Sequence, residues 1–197
     1  GKGDLIIATK AGNDFYYAGD ETDDGYGAIQ QNYKKEYLIE AAEKSLKRLG
    51  VETLDILQLH SPDLEKLEWD EPWEALTRLK EQGKIQHAGL SIQSFKESEQ
   101  AYLLERHQDL LDVIQVRYNL LERKAEKLLF PEAIKYGVGV IVRIPMLFGL
   151  LSGKFDRKSV FEGDDHRRWQ RRLFSRPGQR PLSDTGTAGQ PGLLHGH

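Results

Sequence analysis

Short apolar runs alternate with longer amphipathic segments along most of this chain, and this alternation limits the folds that it can adopt. The apolar runs predict five strands, at residues 5–9, 54–59, 85–91, 113–117 and 138–144. The first run, LIIAT, is continuous, which is typical of a strand buried on both faces. About 25 to 50 residues separate equivalent strand ends, which leaves room for crossover connections. The strands are therefore predicted to be parallel.

The amphipathic segments predict the crossover helices. Apolar residues recur at three- and four-residue steps in four segments, at residues 34–49, 69–82, 94–105 and 124–136. Gly50, Gly83 and Gly137 follow three of these segments, as is typical of helix ends. Ser94 is a candidate cap for the helix that is predicted to begin there.

The alternation alone fits both an open doubly wound sheet and a barrel. No GxGxxG follows the first predicted strand, so the dinucleotide fingerprint of the open sheet is missing and a barrel is favoured. A complete (β/α)8 barrel typically takes about 250 residues, whereas this chain has 197. We therefore predict an α/β fold over residues 1–174, a partial (β/α)8 TIM barrel with about five parallel strands and outer helices.

The carboxyl-terminal residues depart from this pattern. Residues 175–197 are rich in proline, glycine and polar side chains and show no sustained period, so we predict that they are disordered. Seven arginines lie between residues 157 and 180, and those at 167–180 could bind phosphate or nucleic acid. The net charge of −3 argues against a nucleic-acid partner.

Composition excludes other classes of protein. The sequence has no cysteine, which rules out disulfides, thiolate metal sites and a cysteine nucleophile within it. No segment approaches the roughly 18 apolar residues of a membrane helix, and the first residues do not resemble a signal peptide. We therefore expect a cytoplasmic protein without a membrane partner.

Polar residues occur at the ends of successive predicted strands, where parallel α/β folds bind their ligands. Any one such lysine or histidine is more often solvated or structural than functional. Their recurrence at one strand end after another indicates a shared site that could polarise a carbonyl and hold a planar amide. These candidates are Lys10, His60, Ser91, Gln115 with Arg117 and Tyr118, and Arg143 with Pro145.

Two other kinds of site receive less support. The acidic loop at residues 20–24 lacks the alternating ligands and central glycine of a calcium-binding EF-hand. Asp63, Asp70 and Glu71 could suggest the paired carboxylates of a glycosidase, but they lie in a loop and at a predicted helix start, with no signal that they face each other. Helix capping explains them better, and we expect no metal site.

Five segments, in the same order, resemble those of the aldo/keto reductase family. IIATK resembles the strand that ends in the family's active-site lysine, and SLKRLGVETLDILQLHSPD the helix and strand that end in its active-site histidine. GLSIQSF, VIQVRYNLLER and GVIVRIPMLFGLLSGKF resemble three further segments of the family. The resemblance runs from about residue 3 to residue 172.

This resemblance implies a (β/α)8 barrel that binds NADPH without a Rossmann fold and reduces small aldehydes or ketones. It implies that Lys10 tunes the pKa of a catalytic tyrosine and that His60 orients the substrate carbonyl. The remaining positions are implied to contact the cofactor: Ser91 and Gln115 its carboxamide, Arg143 its nicotinamide ring, and the segment containing Pro145, Gly149 and Lys154 its pyrophosphate.

The sequence also departs from the family. The family's catalytic tyrosine and aspartate precede the lysine, and no residue before Lys10 corresponds to them. Tyr16 and Tyr17 follow Lys10, and Ile92 stands where the family usually has an asparagine. We expect a fragment that lacks the first two βα units and the carboxyl-terminal end of the barrel.

Such a fragment has exposed strand edges, which invite aggregation or pairing with another chain. We therefore expect it to be poorly stable or catalytically inert. The alternative is a non-catalytic protein of the same fold that binds a nicotinamide cofactor or another protein.

Overall fold

The computed structural model describes residues 3–14, 30–155, 159–161, 165 and 167. The chain divides into a first unit, Gly1–Pro145, and a second unit, Met146–His197. The predicted tail at residues 175–197, the acidic loop at 20–24 and the tyrosines at 16 and 17 lie outside the described residues.

A five-stranded parallel sheet forms the centre of the first unit. Its strands follow one another in chain order: β1 (Ala8–Ala11), β4 (Leu54–His60), β5 (Ile85–Ser91), β6 (Leu111–Arg117) and β7 (Gly139–Arg143). β2 (Asn13–Asp14) and β3 (Gln30–Gln31) form a separate antiparallel pair. The prediction of an α/β fold with about five parallel strands is therefore confirmed, and the described strands do not close into a barrel.

The helices lie in the connections between the parallel strands. They are α1 (Lys35–Leu49), α2 (Leu64–Leu67), α3 (Glu71–Glu81), α4 (Leu103–Arg106) and α5 (Leu129–Lys135), with a 3₁₀ helix at Lys124–Lys127. The apolar faces of α1 and α3 share one hydrophobic core with alternate residues of the strands. None of the helices in the described part of the chain is long and apolar enough to cross a membrane.

The prediction for the first strand was wrong in its burial and its bounds. The strand begins at Ala8 and ends at Ala11, and the side chains of Leu5 and Ile6 are exposed. Ile7 makes the first contacts with the sheet, because its amide donates to Asp55 Oδ2 at 2.7 Å and its carbonyl accepts from the amides of Asp55 and Ile56. In the described residues β1 pairs with β4 alone, so apolar residues at this edge are not enclosed.

The helix predicted at residues 94–105 was also wrong. The described chain forms turns there and becomes helical only at α4, Leu103–Arg106. Ser94 caps no helix; its hydroxyl accepts a hydrogen bond from Arg143. Phe95 has a φ of 67°, a left-handed conformation that interrupts a right-handed helix.

The second unit begins with a 3₁₀ helix, Leu147–Ser152. Phe148 and Gly149 have positive φ within it, and Gly153 ends it in the left-handed conformation. In the same unit the Arg167 guanidinium lies 4.7 Å from the ring centroid of Phe155 and binds Asp165 through two nitrogens.

Candidate active site

The register of the parallel strands places the predicted site residues on one face of the sheet. Lys10 pairs with Gln58, which lies two residues before His60 and therefore on the same face. His60 pairs with Ser91, and Ser91 pairs with Gln115. Two residues further along β6, Arg117 pairs with Arg143. Side chains from all five strands thus share this face, towards the carboxyl end of the sheet.

The opposite face of the same strands is packed into the core. Leu57, Leu59, Leu90, Ile114 and Val116 alternate with the polar residues, and each is at most 1% exposed. The polar face therefore cannot turn inward without exposing this apolar face, because a strand presents alternate residues to opposite sides.

The charges around His60 favour its neutral form. Burial lowers the pKa of the imidazole below its usual value, and the positive charges of Lys10 and Arg143 lower it further. This influence is consistent with Lys10, His60 and Arg143 lying close enough to interact. At neutral pH, His60 can therefore donate one ring N–H to an oxygen without carrying a charge.

Tyr33 holds the backbone at the end of β4. Its hydroxyl donates to the carbonyl of His60 at 2.8 Å, and its side chain is only 1% exposed. Burial raises the pKa of Tyr33, with a smaller contribution from Asp63, so the hydroxyl keeps its proton. Gly12, with a φ of 120°, makes room for the ring: a Cβ there would lie 2.3 Å from Tyr33 Cε1.

The turn after His60 is strained and reaches the neighbouring strand. Ser61 has a φ of 54°, which is uncommon for a residue other than glycine. Its Oγ lies 3.2 Å from Ser91 Oγ, within hydrogen-bonding distance. Asp63 then caps α2 by accepting from the Lys66 amide, which confirms the prediction of a helix cap for this carboxylate.

Arg143 is anchored at one end of its guanidinium. Nη2 donates to Ser94 Oγ at 2.5 Å, whereas Nε is buried and has no hydrogen-bond partner in the described residues. Burial lowers the pKa of Arg143, and the charge of Arg117 lowers it further. Arg117 itself is held by two hydrogen bonds to Glu122, each 2.6 Å long.

Two residues close to the predicted site residues, Gln58 and Ile92, are buried and have no assigned role in binding a ligand. Gln58 is 1% exposed, and its Oε1 has no partner in the described residues. Ile92 is equally buried, and its amide donates to the Gln115 carbonyl at 2.8 Å. The residue in place of the family's usual asparagine is therefore part of the core.

The remaining predicted residues lie after β7. Pro145 is in the turn that ends the first unit, directly after Ile144, which has a φ of 59°. Gly149 and Lys154 belong to the second unit. Their assignment to the pyrophosphate stays a prediction.

The site prediction from sequence did not include Tyr33, Ser61 or Gln100. Their hydrogen bonds hold the end of β4 and the turn that follows it. Ser61 directly follows His60, in the segment Ser61-Pro62-Asp63 that predicts a turn from the sequence, but its contact with Ser91 was not predicted. Tyr33 lies 27 residues before the carbonyl that it binds, and no local spacing predicts such a contact. Among the described residues, no cluster of histidine and acidic side chains could hold a metal ion.

The shared face offers hydrogen-bond donors of several kinds. It combines an ammonium, a neutral imidazole, a hydroxyl, a carboxamide and a guanidinium, which together can stabilise negative charge on an oxygen. The Ser91 hydroxyl, the Gln115 amide and Arg143 Nε, which has no partner in the part of the chain that the structure describes, suit a ligand with a carboxamide and a planar ring. A nicotinamide therefore fits this set of residues.

Comparisons with known proteins point to the same chemistry. Residues 2–188 match the model of the Aldo/keto reductase family. The chain is 33% identical over 154 residues to L-glyceraldehyde 3-phosphate reductase of Escherichia coli strain K12, an alignment that covers 77% of this chain and 42% of that protein.

Solved structures give a similar result. A glycerol dehydrogenase from Gluconobacter oxydans is similar with a TM-score of 0.68 and 32% identity, over 83% of this chain and 47% of that one. The holo form of an aldo-keto reductase from Bacillus halodurans has a TM-score of 0.61 and 30% identity, over 91% and 56% of the two chains. The chain thus spans about half the length of these relatives.

Proposed function

Because this chain belongs to the aldo/keto reductase family, we propose that it binds NADPH and a small aldehyde or ketone at the carboxyl ends of its strands. The observation that carries the proposal is the strand register, which aligns Lys10, His60 and Arg143 on one face. The reductase and dehydrogenase named among its relatives support an oxidoreductase rather than a hydrolase or a binding module of another class.

In this proposal three residues of the first unit bind the nicotinamide. Ser91 and Gln115 hydrogen-bond its carboxamide, which fixes the face of the ring that points towards the substrate. Arg143 packs on the ring with the flat face of its guanidinium. Pro145, at the end of the first unit, contacts the pyrophosphate. The assignment of Gly149 and Lys154 to the pyrophosphate rests on the sequence resemblance alone. Because Ile92 is apolar and buried, the carboxamide has one amide contact fewer than is usual in the family.

NADPH, when bound, supplies the hydride for carbonyl reduction. The chain contributes the groups that receive the carbonyl oxygen. Neutral His60 donates its ring N–H to that oxygen, and the positive charge of Lys10 stabilises the negative charge that develops there. Both groups are in place before the reaction, so little reorganisation is needed.

Proton delivery is the weak step in this chain. The sequence has no counterparts of the family's catalytic tyrosine and aspartate before Lys10. A general acid typically accelerates a reaction by about 10² to 10⁴-fold. We therefore propose that this polypeptide by itself binds cofactor and reduces carbonyls slowly or not at all. A cytoplasmic location and the lack of a nucleic-acid partner are part of the same proposal.

Fluorescence titration with NADPH tests cofactor binding. The wild-type chain is expected to show saturable binding, and Arg143→Met should weaken it about tenfold, equivalent to about 1.4 kcal/mol. Arg123→Met is the matched control. Arg123 is exposed, pairs with Glu126 of the 3₁₀ helix at Lys124–Lys127, and does not lie on the shared face. No wild-type binding, or equal losses in the two variants, would contradict the proposal.

An absorbance assay that follows NADPH oxidation with a panel of aldehydes and ketones tests turnover. Negligible turnover is expected. Robust turnover that disappears in His60→Ala would overturn the proposed inertness while supporting the proposed chemistry. Slow turnover that is lost in His60→Ala would support the proposal, whereas turnover no faster than that of His60→Ala would favour the alternative of a non-catalytic cofactor-binding protein.

A further inference from the structure

Two turns frame the shared face at its carboxyl end, and one buried side chain joins them. The first turn follows His60, at residues 61–63, and the second follows Ser91, at residues 92–95. Gln100 Nε2 donates to the Pro62 carbonyl at 2.9 Å, and Gln100 Oε1 accepts from the Gln93 amide at 2.9 Å. The carboxamide therefore uses both of its ends, one on each turn.

Gln100 has no alternative partner in water. Its side chain is 0% exposed, and the neighbouring Ala101, Leu103 and Leu104 are also fully buried. Loss of one hydrogen bond would leave a buried polar group unsatisfied, which is unfavourable because water cannot replace the lost partner. The position of each turn is thus tied to that of the other through a side chain that cannot readily change partners.

Both turns contain backbone that does not hold its conformation unaided. Ser61 in the first and Phe95 in the second have φ values of 54° and 67°. Such conformations are unfavourable for residues other than glycine and persist where surrounding contacts impose them. The amide of Phe95 is held by Glu97 Oε1 at 3.2 Å, and Ser61 Oγ meets Ser91 Oγ.

The strand pairing ends where these turns begin. His60 and Ser91 are the last paired residues of β4 and β5, and they are also the residues proposed to bind the carbonyl and the carboxamide. Backbone pairing fixes their Cα atoms, whereas the direction of each side chain depends on the chain that follows.

We infer that Gln100 is a positioning residue, which links the turns after β4 and β5 and so sets how the His60 imidazole and the Ser91 hydroxyl are presented together. This inference rests on the proposed function for its consequence, which is tighter binding of NADPH. Gln100 touches neither cofactor nor substrate in this account.

The test compares Gln100→Met with Asp112→Asn in the full chain. Methionine keeps the approximate size of glutamine and removes both hydrogen bonds. Asp112 lies near the start of β6, where it accepts from Lys80 Nζ and the Ala88 amide, so its substitution destabilises the opposite end of the sheet. NADPH fluorescence titration and urea unfolding are measured for both variants.

Gln100→Met is expected to raise the Kd for NADPH about tenfold, because small errors in the placement of binding groups are costly. Asp112→Asn should leave this Kd within about twofold at a similar or larger loss of stability. The inference would be overturned if the two variants changed the Kd for NADPH equally at equal losses of stability, or if Gln100→Met left this Kd unchanged.

NMR of the histidine rings separates this inference from the proposed function. If wild-type chain binds no NADPH, the proposed function fails, but the inference still requires Gln100→Met to shift the His60 ring resonances and Asp112→Asn to leave them in place. If Gln100→Met does not fold, Gln100→Glu, which keeps the shape and the acceptor for Gln93, replaces it. If neither Gln100→Met nor Gln100→Glu folds while Asp112→Asn does, the inference is overturned, because Gln100 is then needed only for the stability of the fold.

Discussion

His60 illustrates how the environment of a single residue decides its chemistry. Burial lowers the pKa of its imidazole, and the charges of Lys10 and Arg143 lower it further, so the ring is neutral at neutral pH. These three residues could be predicted because strand ends converge in any parallel sheet. Tyr33 could not, because its contact depends on the path of a connection rather than on a repeating pattern.

His107 provides a second titrating residue, outside the candidate site. Its ring stacks on Trp73 with centroids 3.6 Å apart, and its Nε2 is buried without a partner in the described residues. Burial, together with the charge of Arg106, lowers the pKa of His107 to about 4. Between about pH 6.5 and 4, the unfolded chain therefore binds a proton that the folded chain does not, so stability falls as the pH falls through this window.

His107→Phe should weaken this pH dependence, because phenylalanine preserves the stack and cannot be protonated. The measurement is the free energy of urea unfolding at pH 7.5 and at pH 4.5, and the variant should lose less stability than the wild type between them. His87→Phe is the control, since that side chain is 55% exposed and pairs with Asp112 Oδ2 at 3.6 Å when protonated, so its removal should not protect the fold at pH 4.5. A variant that loses as much stability as the wild type would contradict the account of His107.

Among the elements, four of the five strands were predicted to within two residues at each end, whereas the first strand was not. β4 and β5 combine apolar and polar residues between turns, and the structure extends β4 by one residue and keeps the predicted bounds of β5. The run at residues 5–9 is more apolar, but burial depends on neighbouring strands, which a local pattern does not reveal. The segment at 94–105 has helical spacing, yet the contact between Ser94 and Arg143 and the left-handed Phe95 keep its first part non-helical.

Glycines in two strands test the packing of these elements. A Cβ at Gly89 in β5 would lie 2.7 Å from Val113 Cγ1 and 2.8 Å from Gln58 Cγ, whereas the nearest atom to one at Gly139 in β7 is 3.5 Å away. Gly89→Ala should destabilise the fold by about 1–3 kcal/mol through overpacking. Gly139→Ala should be neutral or stabilise it by up to about 1 kcal/mol, because alanine restricts the unfolded chain.

Urea denaturation of the two glycine variants gives these values directly. Equal stability of the two variants would show that β5 and β6 are not packed as closely as the structure indicates. Because Gly89 pairs with Gln58 and Val113, Gly89→Ala should also disturb the shared face.

At the scale of the whole molecule, the order of the parallel strands explains why the candidate residues share one face of the sheet. The five parallel strands are adjacent in space in the same order as in sequence, so each new strand end adds a side chain beside the previous one. In the described residues β1 and β7 each pair with one strand, and Val140 and Val142 of β7 are each 41% exposed. These exposed strand edges support our proposal that the isolated polypeptide has only modest stability.

The convergence of Lys10 and His60 on one face is the central claim, and the pKa of the His60 imidazole measures it most directly. NMR titration of wild-type chain and Lys10→Met, with Lys47→Met on α1 as the control, requires neither cofactor nor turnover. Removal of the Lys10 charge should raise the His60 pKa towards its ordinary value, because this charge lowers it, and Lys47→Met should leave it unchanged. An unchanged His60 pKa in Lys10→Met would contradict the shared site.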